Sequence, residues 1–202
     1  MSYERPILSR YLDPLELVWL ATARRLGLTI RRDPAIFSRT DGRGMLWLGP
    51  RDALDPDDTL CQMVFHELCH WATNGVATFA DEDWGFPLDE YDDPREFASL
   101  RLQAWWADRH GLRGELGPTG KYREYFDRLG ADPLAPLDAG PLEAEIVALA
   151  QRAVAASQAA PFSPVVEHAL AATAALKRTV APFLDAYASE VDDDLLPSLW
   201  AR

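Results

Sequence analysis

Apolar residues recur at helical spacing through Thr59–Gly75, where Met63, Val64, Leu68 and Trp71 fall on one side of TLCQMVFHELCHWATNG. That period is the signature of a helix with one buried face. Asp55-Pro56-Asp57-Asp58 supplies a start signal with acids in the first turn, and Gly75 a stop. An earlier helix opens at Asp13-Pro14, carries Leu15, Val18, Trp19 and Leu26 inward, and ends at Gly27. Between these two, the short apolar runs 28–32, 36–39 and 45–48 read as strands. The Asp41-Gly42 turn joins the last two as a hairpin, with Met45–Leu48 as the expected exposed edge where a peptide can add.

Past Gly75 the pattern breaks into an acidic, aromatic loop with a turn at Trp84-Gly85-Phe86-Pro87. Asp92-Asp93-Pro94 then opens a helix that runs to Asp108 or His110 and stops at Gly111. The rest is Ala-rich and helical: 121–129, 141–158 and 164–187, the last expected to kink or end at Pro182. The expected class is α+β, mainly α. A helix and a small sheet pack on a central helix within 1–111, and a helical extension, 112–202, packs on the same domain.

Charge narrows the partners. Acidic residues outnumber basic ones 32 to 20, for a formal charge of −12. A phosphate backbone would be repelled, which argues against nucleic acid. A protein or peptide substrate, including a Lys-bearing one, is compatible, although the same charge also serves solubility. No run of eighteen apolar residues and no signal-type N-terminus occurs, so no membrane span is expected and the expected location is cytoplasmic. The two cysteines, Cys61 and Cys69, are both on the central helix, about 12 Å of rise apart. They cannot bridge without breaking it and are expected to be free and buried.

The same helix holds the chemistry. His66-Glu67-Leu68-Cys69-His70 is an HExxH pattern. Two imidazoles four residues apart converge on one ion, and the intervening Glu67 is placed to act as acid or base on a water beside it. A catalytic ion generally takes a third protein ligand and keeps an open position. Thr73 and Val76 stand where an extended motif would need Gly and His, so the third ligand must come from downstream. Asp81, Glu82, Asp83, Asp89, Glu90, Asp92, Asp93, Glu96 and His110 are available, and Glu96, in the first turn of a rigid helix, is preferred. Asp93-x-x-Glu96 also has the form of a capping box, which would turn Glu96 back to its own helix start. Carboxylates of 81–93 are candidates to hold the ring nitrogens facing away from the ion. Nothing after Leu112 has a recognisable chemical pattern, and His168 is expected on a helix surface.

These residues resemble two things. Broadly, the chain looks like the gluzincin-type metallopeptidases, with two His on one helix and a Glu on the next. More narrowly, it is similar to the bacterial elongation factor P hydroxylase family. The likeness rests on His66-Glu67-x-x-His70-Trp71, Gly75, Asp83-x-Gly85-Phe86, Glu96, Leu102 and Gly111. It covers about residues 60–111 and does not continue beyond. It implies His66, His70 and Glu96 as the metal set, a metallopeptidase-like scaffold, and hydroxylation of a modified lysine on a translation factor.

One ligand set serves two chemistries. With Zn2+, Glu67 takes a proton from water and a peptide bond is hydrolysed. With Fe2+, open positions activate oxygen for hydroxylation. Hydrolysis also needs an oxyanion donor, for which Tyr91, Arg95, His110, Tyr122 and Tyr125 are candidates. A third possibility is a structural metal in a non-catalytic protein, closed by a fourth ligand such as His110 or Asp83.

Overall fold

A computed structural model describes residues 12–50, 53–54, 58–86 and 93–187. Helix α1 (Pro14–Arg25) is capped by Asp13, whose carboxylate accepts from the amides of Leu15 and Glu16. Three short strands follow: β1 (Thr29–Arg32), β2 (Ser38–Thr40) and β3 (Met45–Leu48). Then come α2 (Leu60–Asn74), α3 (Pro94–Asp108), α4 (Arg123–Arg128), α5 (Pro141–Ser157) and α6 (Val165–Tyr187). The fold is α+β and mainly helical, as the sequence pattern implies.

The sheet order is β1-β3-β2, with β1 parallel and β2 antiparallel to β3. The expected hairpin of β2 and β3 is present. Asp41 shapes its turn by accepting from the amides of Arg43 and Met45, at 2.8 and 2.9 Å. But β3 is the central strand, not the exposed edge. The parallel pairing with β1 is non-local and hides it. Close approach of Gly44 to β1 permits this: a Cβ there would lie 2.8 Å from the Gly27 carbonyl oxygen. The open edge on the hairpin side therefore belongs to β2.

Helix α2 begins at Leu60, after the acidic run and not within it. Its cap is the Thr59 hydroxyl, accepting from the Gln62 amide at 3.3 Å, and no acid lies in its first turn. Gly75, at φ 95°, ends it as expected. The helix is buried on nearly every side. Leu46 and Leu48 of β3 belong to the same buried core, Trp19 of α1 packs on Phe65 of α2 at 5.2 Å, and Trp106 of α3 packs on the same ring at 5.9 Å. Phe162, ahead of α6, meets Trp71 edge-on at 4.7 Å. Residues on both sides of 111 thus share one core. Trp19 also donates its indole N–H to Thr173 of α6 at 3.0 Å. Pro182 lies within α6, which continues past it to Tyr187. Cys61 and Cys69 are buried free thiols, and burial pushes Cys61 up to about 12. Among the described residues no helix is long and apolar enough to cross a membrane.

Candidate metal centre

Asp93 caps α3 by accepting from the Arg95 amide at 2.8 Å, and Pro94 occupies the first helical position. Glu96 does not turn back to that cap. Its carboxylate faces α2, with Oε2 3.0 Å from His70 Nε2 and Oε1 3.4 Å from His66 Nε2. His66, His70 and Glu96 thus offer ligand atoms all within 4.8 Å of one another. Two of these atoms, His70 Nε2 and Glu96 Oε1, are buried and have no hydrogen-bond partner outside the cluster; each faces only another member of it. Such groups are costly unless something else satisfies them. A divalent cation fits: imidazole and carboxylate suit zinc or iron(II), and three ligands leave part of the ion open.

Electrostatics point the same way. Burial works against a charged His66, but the hydrogen bond and charge of Glu96, with Glu67 and Gln103, raise it to about 9. Burial also opposes the Glu96 carboxylate, yet the charges and contacts of His70 and His66 hold it well below the usual range. The three side chains together favour positive charge at this point, which a metal ion supplies without protons.

The ring nitrogen of His66 facing away, Nδ1, meets Gln103 Oε1 at 2.9 Å. The acidic stretch does not provide that partner. Gln103 lies seven residues after Glu96, two turns along the same face of α3, and that spacing is a signal sequence reading can use. The His70 ring is stacked by Phe86 at 4.4 Å, and Arg95 sits over Phe86 at 4.9 Å.

Glu67 is buried beside the three. Ser38 Oγ of β2 donates to its Oε1 at 2.5 Å and Trp84 Nε1 donates to its Oε2 at 3.0 Å. His70 Nδ1 is 4.0 Å from the same Oε2. Trp84 reaches Glu67 because Asp83 and Trp84 form a short 3-10 turn with φ of 49° and 56°. Two consecutive left-handed non-glycine residues are strained, and they persist where neighbours over-determine them. Here Asn74 donates to the Trp84 carbonyl at 2.7 Å and the Thr40 amide donates to Asp83 Oδ1 at 2.9 Å.

A cavity of about 480 Å³ opens onto the cluster. Phe37, Met63, Phe86, Pro118 and Tyr122 give it apolar walls, with Ser38, Asp58, Asp83 and Thr119 among its polar groups. The 117–122 segment forms one wall, so the region after Leu112 does contribute to the site. No sequence periodicity marks it, because it is irregular chain between α3 and α4. Of the proposed oxyanion donors, Tyr122 lines the cavity, whereas Arg95 is engaged with Asp93 and the Gly85 carbonyl, and Tyr125 with Arg101. His110 and His168 are not among the residues lining the cavity. Asp83 lines the cavity but is not in the ligand cluster, Asp93 is a cap, and Asp89, Glu90, Tyr91 and Asp92 lie outside the described residues.

No family model, curated protein or solved structure matches the chain.

Proposed function

We propose that the protein is a metal-dependent hydroxylase that inserts oxygen into a side chain reaching into the cavity. A Lys-bearing protein or peptide is the preferred substrate. The observation that carries this is the pair of buried atoms His70 Nε2 and Glu96 Oε1, which have no partner outside the cluster and lie with His66 Nε2 within 4.8 Å of one another beside an open cavity. The local likeness to the elongation factor P hydroxylase family favours iron(II) there. Such an ion would supply activation of dioxygen: one oxygen atom enters a C–H bond, the other leaves as water, and a two-electron reductant completes the balance. His66, His70 and Glu96 hold the ion, Glu67 is fixed beside it by Ser38 and Trp84, and the apolar walls keep water from the reacting end.

The edge of β2 supports a side-chain substrate over a chain laid across the site. Phe37 and Asp41 turn their backbone groups to β3, so Thr40 faces outward. Its amide is already taken by Asp83, and Asp41 forms a bridge with Glu82. The Thr40–Asp41 end of this edge is thus closed to an added strand. The second reading, a zinc peptidase using Glu67 as base, is favoured by Tyr122, a candidate oxyanion donor that lines the cavity.

Metal analysis of protein purified without added metal, followed by incubation with an unstructured Lys-containing protein, separates the readings. Iron and a mass gain of one oxygen fit the hydroxylase. Zinc and cleavage fragments, abolished by Glu67→Gln with the metal retained, fit the peptidase. Bound metal with neither product leaves a structural ion.

A further inference from the structure

Gln103 is fully buried and uses both ends of its amide. Its Nε2 donates to the Leu116 carbonyl at 2.7 Å, and its Oε1 meets His66 Nδ1 at 2.9 Å. A carbonyl only accepts, so the Leu116 contact fixes which end of the amide faces His66. An amide oxygen also only accepts, so when His66 gives up its second proton to take an ion, the proton that stays is the one on Nδ1. The lone pair is then on Nε2, the atom that faces Glu96. Being neutral, Gln103 does this without adding a second negative charge beside Glu96. At its other end the Leu116 carbonyl begins the segment that walls the cavity. Gln62 of α2 fastens the next carbonyl, Gly117, at 3.2 Å.

We propose that Gln103 is a positioning residue that sets the ring nitrogen His66 turns to the ion and, through Leu116, ties the 116–122 cavity wall to that ligand. This rests on the metal reading of His66, His70 and Glu96, but its wall end does not need the metal. Gln103→Met keeps the shape and loses both bonds. Gln103→Glu keeps an acceptor for His66 and loses the donor to Leu116.

The test measures Zn2+ affinity by chelator competition, histidine-ring NMR of the Zn2+-loaded protein, and amide exchange of 117–122 in the metal-free protein. Wild type should show a protonated Nδ1 on His66. Gln103→Met should weaken Zn2+ binding roughly 10–100-fold, while Gln103→Glu stays within about threefold of wild type. Both variants should exchange the 117–122 amides faster than wild type. Equal Zn2+ affinity in wild type and Gln103→Met, equal losses in both variants, or a proton found on His66 Nε2 would each overturn the proposal. Unchanged exchange of 117–122 in both variants would overturn its wall end. Should Gln103→Met fail to fold, the ring NMR of wild type and the exchange of Gln103→Glu still decide. A wild type that binds no Zn2+ at all defeats the metal reading itself, a result distinct from these.

Discussion

Helix α3 buries two charged side chains, Glu96 and Arg101, five residues and about 140° apart around its axis. Every guanidinium nitrogen of Arg101 has a partner. Its guanidinium donates to Glu143, to the Tyr125 hydroxyl at 2.7 Å, and to the carbonyls of Pro133 and Ala135 at 2.5 and 2.8 Å. Glu143 accepts in addition from the Leu137 amide at 2.6 Å. Glu96 is the opposite case: its Oε1, and His70 Nε2 beside it, face only the other members of the cluster and have no hydrogen-bond partner beyond it. Glu96 and Glu143 are hidden to a similar degree, at 10 and 7 % side-chain exposure, so burial of the carboxylate alone does not tell structure from function. The difference is completion. A buried ion pair whose every nitrogen is bonded to the fold holds α3, α5 and the intervening loop in register, whereas one left short of partners is shaped for something that comes from outside.

The largest effects should follow that division. Arg101→Met leaves Glu143 as an uncompensated buried charge and should lower unfolding free energy by about 3–5 kcal/mol in urea titrations, with or without metal. Zn2+ at a hundred times its dissociation constant should raise the stability of wild type by about 2.7 kcal/mol. Arg101→Met should keep that increment, and Glu96→Gln should lose it. An increment that survives Glu96→Gln would remove the distinction between the two clusters.

Next comes pH. In metal-free protein His66 titrates near 9 against 6.5 when unfolded, so its stabilising contribution is complete below pH 6.5 and fades as pH rises through 9. Glu96 is displaced downward, so its contribution is present above its ordinary value of 4.5 and fades as pH falls below that. Metal-free stability should therefore be greatest between about pH 4.5 and 6.5 and drop on the order of 2 kcal/mol by pH 9. Metal affinity should rise over the same upper range, because the ion displaces a proton from His66. Glu96→Gln should flatten the fall toward pH 9. Opposite slopes for the folded protein and for metal binding are the signature to look for in paired thermal-melt and competition series.

Much of this site was legible from local pattern. HExxH needs only a helix to bring His66 and His70 together, and Pro94 after Asp93 pins a helix start so that residue 96 falls in its first turn. The capping-box alternative was equally local, and the buried imidazoles decide between the two by offering Glu96 a better partner than its own backbone. What escaped was non-local. The Thr59 cap was masked by a nearby acidic run, β3 is central because β1 reaches it from another part of the chain, and Gln103 has no motif of its own. The wall at 117–122 is marked in sequence only by Tyr122, and its place beside the cluster comes from contacts with Gln62 of α2 and Gln103 of α3.

The smallest effect concerns Glu67, which sits between the two extremes: its oxygens are hydrogen-bonded, yet it faces the cavity. Each carboxylate oxygen has a further lone pair, so the bonds from Ser38 and Trp84 orient Glu67 without exhausting it. Ser38→Ala removes one of them at a half-buried site and should cost about 1 kcal/mol. Because Trp84 still holds Oε2, Zn2+ affinity should change by less than about threefold, as for a group beside the ion and outside its ligand set. Chelator competition on this variant is therefore a sharp measurement. A loss of tenfold or more would make Glu67 part of what grips the ion, and the site would then belong with the completed cluster around Arg101.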